Sequence, residues 1–331
     1  MIITGKYPDL RLRRSRKFEW SRRLVQENNL STSDFILPIF LTEGKNKKVP
    51  IKSMPGVYRY TVNKLDIIIE KAIKRKIPMV ALFPYINSKL KNERGSEALN
   101  ESNLVCQGIQ YIKKKYKNEI GIMCDVALDP YTSHGHDGIL DKNQILNDET
   151  VDLLVKQSLL QARMGCDVIA PSDMMDGRIK KIRDKLDAEK LKDVQILSYA
   201  VKFASSFYGP FRDAVGSKKA LKGNKKTYQM DYKNRNESLR EVSLDIKEGA
   251  DMVMVKPGMP YLDIIRDIKE NFKIPVFAYQ VSGEYSMLKN AIDRKIIDEN
   301  CIIESLMSFK RAGASAIVTY FADSINLNSL D

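Results

Sequence analysis

From residue 35 onward, the chain alternates short apolar, β-branched runs with longer amphipathic stretches. A short apolar run bounded by polar residues predicts a buried strand, and an apolar period near 3.6 residues predicts a helix. Eight strands are predicted, at residues 36–41, 79–83, 121–126, 167–171, 196–202, 251–256, 275–280 and 315–321. This alternation is typical of parallel βα units.

The amphipathic stretches predict helices at residues 97–116, 148–165, 238–249, 261–272 and 298–313. Gly165, Gly249 and Gly313 each come just before a predicted strand, where a left-handed residue commonly ends a helix. Eight βα units predict an α/β protein, a (β/α)8 TIM barrel over residues 31–331. The alternative is a doubly wound open sheet, but no GxGxxG or GxxxxGK[ST] motif follows a predicted strand.

Residues 1–30 are polar and basic without an apolar period, and we expect them to form an N-terminal arm outside the barrel. The 331 residues of the chain leave room for a barrel of about 250 residues and such an extension. The four cysteines form no CxxC pair, which argues against a disulfide framework or a zinc ribbon and favours the cytoplasm. No apolar run reaches the roughly 18 residues of a membrane span, and the start lacks a secretory pattern, so no membrane partner is expected.

The net charge of +13 raises the alternative of a nucleic-acid-binding protein. Much of the excess lies in scattered lysines, such as those at 113–115 and 117, which are typical of a solvated helix face. We therefore expect no nucleic-acid partner.

Two lysines mark the candidate chemistry. Lys202 ends the fifth predicted strand and Lys256 ends the sixth, and in a barrel the active site lies at these carboxyl ends. Neighbouring strands lie about 4.8 Å apart, so the two amines can come close. Repulsion and burial then favour a neutral amine, which can attack a ketone to form a Schiff base. A single lysine here would more often extend its amine into solvent, but two on consecutive strands favour chemistry.

Two further pairs of side chains suit the binding of carboxylates. Arg212 and Lys225 lie in the long segment 203–236 after the fifth strand, a length typical of a lid or binding loop. Ser282 and Tyr320 lie near the ends of the seventh and eighth strands, where their hydroxyls can donate to a carboxylate. The alternatives are plain loop solvation for the cations and simple packing for the tyrosine ring.

Acidic and hydroxyl side chains follow the third and fourth strands. Asp125 lies in the third strand, and Asp129 and Asp137 lie in the second long loop, 129–147. Oxygen donors of this kind suit Mg²⁺ or an acid–base network, although a polar loop closed by local turns would look the same. Ser172 ends the fourth strand, where it is either a group of the site or the cap of the next helix.

Several long motifs give the chain a family resemblance. They are RLRRS, YTSHGHDG, APSDMMDGR, KFASSFYGPFRDA, YQMD, GADMVMVKPGMPYLD and VSGEY, and together they span nearly the whole chain. With them the chain resembles the porphobilinogen synthase family, also called 5-aminolevulinate dehydratases. The resemblance implies a hydro-lyase that condenses two molecules of 5-aminolevulinate to porphobilinogen with loss of two waters, in tetrapyrrole (heme) biosynthesis.

The resemblance also assigns roles. It implies that Lys202 and Lys256 form the Schiff bases, while the sequence does not decide which lysine serves which substrate. It matches Arg212 and Lys225 to one carboxylate site and Ser282 and Tyr320 to the other. Asp125 and Ser172 are candidates for proton transfer. The remaining substrate contacts are expected from residues within or beside the matching motifs, namely Tyr208, Phe211, Gln229 and Tyr279.

The metal and assembly expectations also come from the resemblance. Zinc-dependent members carry three cysteines where this chain has Ala127, Asp129 and Asp137, so catalytic Zn²⁺ is not expected and the two aspartates are left to act through water or another cation. Glu241 matches the glutamate of an allosteric Mg²⁺ site. Family members are homo-oligomers, mostly octamers in which the arm wraps a neighbour. A class I aldolase-like barrel, which needs one Schiff-base lysine, is the remaining alternative.

Overall fold

Eight parallel strands follow one another around a closed sheet in this computed structural model, which describes residues 5–216, 221 and 223–327. The barrel strands are Phe35–Thr42, Met79–Tyr85, Gly121–Val126, Val168–Pro171, Gln195–Lys202, Met252–Lys256, Val276–Tyr279 and Ala316–Val318. Phe35 of the first strand pairs with Ile317 of the eighth, which closes the barrel. The predicted TIM barrel is confirmed. The eighth strand is shorter than the predicted 315–321.

The strands are apolar because helices cover the outside of the barrel and side chains fill its inside. The first strand is buried at seven of its eight positions, and the sixth is buried throughout. Parallel strands buried on both faces read as continuous apolar runs instead of alternating ones. A lysine at the end of such a strand is therefore out of keeping with its neighbours.

Ten α-helices lie in the described part of the chain. In chain order they are α1 Glu19–Leu24, α2 Asp66–Lys74, α3 Leu104–Tyr116, α4 Asn147–Arg163, α5 Arg178–Ala188, α6 Gly209–Ala214, α7 Asn236–Glu248, α8 Leu262–Asn271, α9 Ser282–Asp293 and α10 Cys301–Ala312. Gly249 and Gly313 end α7 and α10 with φ of 106° and 111°, as predicted. None of the helices in the described residues is long and apolar enough to cross a membrane.

The predicted helix 97–116 is wrong in its first turns. A short 3₁₀ turn, Ser96–Leu99, comes first, and α3 begins only at Leu104. The side chain of Asn103 accepts a hydrogen bond from the backbone N–H of Cys106 at 2.9 Å and so caps α3. Asparagine side chains that bond to nearby backbone compete with helix formation and favour such a start.

Two of the connections at the carboxyl ends of the strands contain structure of their own. Loop 129–147 holds a hairpin of Ile139–Asp141 and Gln144–Leu146. A second hairpin, Lys48–Pro50 and Tyr58–Tyr60, extends the sheet because its later strand pairs with the first barrel strand. The segment after the fifth strand contains α6 and is bonded to the barrel at both ends. Phe203 N donates to Lys256 O at 2.9 Å, and Met230 N donates to Lys202 O at 3.1 Å.

The described part of the N-terminal arm, residues 5–30, contains a 3₁₀ turn at Leu12–Arg16 and the short helix α1. Most of its large apolar side chains are exposed, for example Trp20 at 62% and Leu24 at 78%, whereas Leu30 is buried. An apolar surface of this kind on a short helix is typical of a contact with another molecule. The function of the arm stays a prediction.

Candidate active site

The structure places Lys202 and Lys256 opposite each other at the ends of the fifth and sixth strands. Val253 pairs with Ser198, whereas Lys256 pairs with Lys202, so the fifth strand contains one more residue than the sixth between these pairs. In a regular ladder continued from Val253, Lys256 would lie opposite Val201. The irregularity therefore brings the two lysines into register, as bulges near active sites often do.

Aromatic rings surround the amine of Lys256. Its Nζ lies 4.7 Å from the ring centroid of Tyr279, 5.0 Å from that of Tyr199, 5.2 Å from that of Phe211 and 5.6 Å from that of Tyr208. Lys256 is only 6% exposed. Burial, followed by the charge of the neighbouring lysine, lowers the pKa of Lys256 to about 7. A large share of this amine is neutral at neutral pH.

Lys202 has different surroundings. Its Nζ is 3.0 Å from Oδ1 of the buried Asp137 and also donates to the backbone carbonyl of Ser172. Asp137 is shared, because its Oδ2 lies 2.6 Å from Nζ of Lys225 and accepts a hydrogen bond from the Tyr228 hydroxyl at 2.9 Å. Burial alone would raise the pKa of Asp137, but the two lysines hold it well below its usual range.

The two strand-end lysines are therefore unequal. Lys202 is in an ion pair, whereas no carboxylate in the described residues lies within ion-pair distance of Lys256. The sequence analysis did not distinguish between the two amines. The strand positions revealed that the lysines are neighbours, but Asp137 comes from a distant loop whose path the sequence pattern does not show.

Asp125 is a half-buried acid near both lysines. Burial raises the pKa of Asp125 to about 6, opposed by the charges of Lys256 and Lys202 and by a hydrogen bond with Ser172. Its Oδ1 is buried and accepts no hydrogen bond from the described residues. A carboxyl that titrates near neutral pH with a free oxygen suits proton transfer. Both Asp125 and Ser172 thus lie where the sequence analysis expected chemistry.

The predicted cation pair lies on the same side of the site. The side chain of Lys225 is 10% exposed, and its Nζ contacts Asp129 at 3.4 Å as well as Asp137. Arg212, on α6, has no carboxylate within ion-pair distance among the described residues and is free to bind an anion. A small cavity of about 30 Å³ lies between the predicted groups. It is lined by Asp129, Lys202, Tyr208, Phe211, Arg212, Lys225, Gln229 and Lys256.

The predicted hydroxyl pair is buried on the other side of the aromatic rings. Ser282 is the first residue of α9, and its Oγ accepts a hydrogen bond from the backbone N–H of Phe211 at 2.8 Å. Tyr320 follows the eighth strand, and its hydroxyl is 3.0 Å from that of Tyr279. The Tyr208 hydroxyl is used differently, because it donates to backbone carbonyls, so this residue offers its ring to the site.

Two aromatic residues were missed by the sequence analysis. Tyr228 bonds to Asp137 and to Nδ1 of His136, at 3.0 Å, and so helps to hold the central carboxylate. It begins the YQMD motif, which was the available signal. Tyr199 lies under Lys256 but reads as one more apolar strand residue, and no sequence pattern distinguishes it.

The metal expectations can be compared with the donor atoms present. Ala127 offers no ligand, and Asp137 is already bonded to two lysines and a tyrosine, so this site does not fit Zn²⁺. Glu241, on α7, lines a second cavity of about 670 Å³ together with Asp176 and Glu237. In the described residues no group of three metal-binding side chains is found. Mg²⁺ needs only one or two carboxylates because it keeps several waters, and Glu241 fits that requirement.

A barrel whose mouth holds a partly neutral lysine, a second lysine and an unpaired arginine defines an enzyme that forms Schiff bases with a ketone carrying a carboxylate. The chain belongs to a particular family of such enzymes. The profile of the delta-aminolevulinic acid dehydratase family matches residues 9–327.

Individual relatives agree. The chain is 59% identical over 314 residues to the delta-aminolevulinic acid dehydratase of Bradyrhizobium diazoefficiens. The alignment covers 95% of this chain and 89% of that protein. It is 49% identical to the Rhodobacter capsulatus enzyme, with 97% of each chain covered. The crystal structure of delta-aminolevulinic acid dehydratase (porphobilinogen synthase) from Toxoplasma gondii, in complex with the product porphobilinogen, superposes with a TM-score of 0.93 at 46% identity, over 95% of this chain and 90% of that chain.

The family and the hydro-lyase class expected from the motifs are thereby confirmed. The compartment is less sharply defined, because relatives include a chloroplastic enzyme of Arabidopsis thaliana at 49% identity over 94% of this chain and 73% of that protein.

Proposed function

We propose that this chain condenses two molecules of 5-aminolevulinate to porphobilinogen, with loss of two waters, in tetrapyrrole (heme) biosynthesis. The observation that carries the proposal is the pair of lysines in register, one surrounded by aromatic rings and one ion-paired. Each carries an amine within one buried site, as a reaction between two ketone substrates requires.

Lys256 is the first nucleophile in this proposal. Its neutral amine attacks the ketone carbon of one substrate, and loss of water leaves an iminium. The iminium withdraws electrons, so a proton on the adjacent carbon can be removed, and the resulting enamine carbon attacks the carbonyl carbon of the second substrate. Asp125, which titrates near pH 6, is the proposed proton acceptor.

Lys202 and the carboxylate sites hold the second partner. Lys202, whose Nζ is held by Asp137 and by the backbone carbonyl of Ser172, is the proposed site of the second Schiff base. Arg212 with Lys225 binds one substrate carboxylate, and Ser282 with Tyr320 binds the other. The choice of substrate for each lysine stays open. Holding both molecules in register lowers the activation free energy by several kcal/mol.

We further propose that Glu241 holds an allosteric Mg²⁺ and that catalysis uses no Zn²⁺. We also propose that the enzyme is a cytoplasmic homo-oligomer, most simply an octamer in which residues 1–30 contact a neighbour. The donor set at Asp129 and Asp137 and the exposed apolar side chains of the arm support these statements. No nucleic-acid or membrane partner is part of the proposal.

The test is an assay of porphobilinogen with Ehrlich reagent on single lysine variants. Lys256→Met and Lys202→Met should each lower product formation by about 1,000-fold or more, because a covalent step is lost. Lys192→Met, which changes an exposed lysine before the beginning of the fifth strand and so at the opposite end of that strand from Lys202, is the matched control and should keep full activity. Full activity in both strand-end variants would contradict the proposal.

An aldolase-like barrel with one Schiff base is the second candidate, favoured only by the ion pair that occupies Lys202. It predicts that the Lys202→Met variant still cleaves or forms a carbon–carbon bond through Lys256. It also predicts that neither this variant nor the unaltered enzyme makes porphobilinogen. Porphobilinogen formed by the unaltered enzyme excludes this candidate.

A further inference from the structure

The short helix α6 carries two residues of the site, Phe211 beside Lys256 and Arg212 at the cavity. Near its beginning it is attached to the barrel by the hydrogen bond from Phe211 N to Ser282 Oγ. A six-residue helix is too short to be stable by itself, so contacts with other elements must hold it in place. Its other end is held by a residue outside the family motifs described above.

Arg59 makes this second attachment. Its Nε donates to the backbone carbonyl of Ala214 at 2.7 Å, and its Nη2 donates to the carbonyl of Asp213, also at 2.7 Å. The last carbonyls of a helix lack partners within the helix and form its negative end. A guanidinium presents two donors in a fixed plane and a full positive charge, so it suits this position well. The guanidinium also stacks over the ring of Tyr85, with its carbon 4.4 Å from the ring centroid.

A second contact strengthens the attachment. The Ser53 hydroxyl donates to the side chain of Asp213 at 2.6 Å. Both Ser53 and Arg59 belong to the segment around the hairpin of Lys48–Pro50 and Tyr58–Tyr60, in which Arg59 pairs with Phe40 of the first barrel strand. The support of α6 is therefore part of the barrel sheet.

We propose that Arg59 is a positioning residue for the reaction: it holds the end of α6 against the barrel and thereby keeps Phe211 over Lys256 and Arg212 at the substrate carboxylate. Ser53 assists through Asp213. Within the described residues, the hydrogen bonds and the ring contact of the Arg59 side chain are with this helix and with Tyr85, so Arg59 acts on the site through α6.

The experiment compares Arg59→Met and Arg59→Lys in the full-length enzyme. With 5-aminolevulinate, Arg59→Met should raise KM about tenfold, with a smaller fall in kcat, because Arg212 loses its fixed position. Arg59→Lys should recover only part of the loss. It keeps the positive charge, but an ammonium cannot reach both carbonyls in one plane. Arg163→Met is the control, since Arg163 forms a comparable surface bond to Glu189 at 2.8 Å and should leave KM unchanged.

A second readout separates positioning from simple support and needs no product formation. The acetylation rate of Lys256, measured by peptide mass spectrometry against pH without substrate, should have its midpoint near 7 in the unaltered enzyme and at a higher pH in Arg59→Met. The midpoint rises because loss of Phe211 from the amine admits water, which stabilises the charged form.

An unchanged KM and an unchanged midpoint in folded Arg59→Met would overturn the proposal, and so would a lower melting temperature with both values unchanged. If Arg59→Met does not fold, Ser53→Ala removes one contact only and should shift both readouts in the same direction by a smaller amount. The kinetic half of the test rests on the proposed function. The acetylation half does not, so the failure of one inference is distinguishable from the failure of the other.

Discussion

Lys256 and Lys202 each end a barrel strand, pair with each other and are nearly equally exposed, at 6% and 5%. The groups that surround their amines nevertheless differ in kind. Four aromatic rings surround the first amine, whereas a carboxylate and a backbone carbonyl hold the second. Burial without a carboxylate lowers an amine's affinity for protons, and an ion pair opposes that effect. The position on the barrel makes the lysines neighbours, and their contacts decide which of them reacts first.

Apart from the loss of a lysine itself, the largest expected effect comes from removing Asp137. Asp137→Asn leaves Lys202 and Lys225 without their shared carboxylate and should destabilise the enzyme by about 3 kcal/mol, because buried charges lose their partner. Activity should fall by at least about 100-fold. Chemical denaturation and the porphobilinogen assay measure the two effects. Asp129→Asn is the matched comparison and should cost much less, because within the described part of the chain the ion pair of Asp129 is a single 3.4 Å contact with Lys225. Equal effects of the two substitutions would show that Asp137 is not the centre of the network.

The second prediction concerns stability and has opposite signs at the two lysines. Lys256→Met should stabilise the fold at pH 7 by about 1–2 kcal/mol, because a buried amine without a carboxylate is replaced by an apolar side chain of similar length. Lys202→Met should destabilise it, because Asp137 loses one of its two cations. Urea unfolding at pH 7 gives both values. A loss of stability in both variants would mean that Lys256 has a stabilising partner after all.

The effect of Lys256 on the free energy of unfolding can also be followed with pH. The folded-state pKa of Lys256, about 7, is below the ordinary value of 10.5, so the unfolded chain binds the proton more strongly between these values. This group therefore makes the fold gain stability as pH rises from about 7 towards 10.5. The gain should be absent in Lys256→Met, and a difference between the two unfolding curves that does not change with pH would contradict it.

The third prediction is a smaller shift in reactivity. The charge of Lys202 is the second cause of the lowered pKa of Lys256, after burial. Lys202→Met should therefore raise the pH midpoint for borohydride trapping of 5-aminolevulinate on Lys256, by about one unit or less. A midpoint that falls in this variant would contradict the proposed repulsion between the amines.

The smallest expected effect is that of a zinc-specific chelator, which should leave activity nearly unchanged because the site presents no thiolate.

Removal of Mg²⁺ should lower activity, and the activity of the Glu241→Gln variant should not respond to added Mg²⁺. Metal content and activity are to be measured in the same preparation. Complete loss of activity together with stoichiometric loss of zinc would contradict this prediction.

The barrel and the position of the lysines followed from the sequence because strand periodicity and helix-ending glycines are local signals. Gly249 and Gly313 take the left-handed conformation that their place in the pattern suggested. The contacts that make the lysines unequal did not follow, since Asp137 and Tyr228 come from two separate loops and meet at Lys202 only in the folded barrel. The one-residue irregularity before Lys256 is equally invisible in an apolar run.

The start of α3 illustrates the opposite case. The signal was local and present, since Asn103 is a typical capping residue, but the apolar period of the preceding residues masked it. The roles of Arg212, Ser282 and Tyr320 rest on the family motifs. The cavity and the hydrogen bonds around them support those roles.

The central claim is that Lys256 is the neutral amine that reacts first. Its most direct test is to mix the enzyme with less than one equivalent of 5-aminolevulinate, reduce with borohydride across a pH series, and locate the adduct by peptide mass spectrometry. If Lys256 reacts first, the adduct forms almost entirely on Lys256, and it forms faster as pH rises through about 7. An adduct found first on Lys202, or divided equally between the two lysines at every pH, would contradict it.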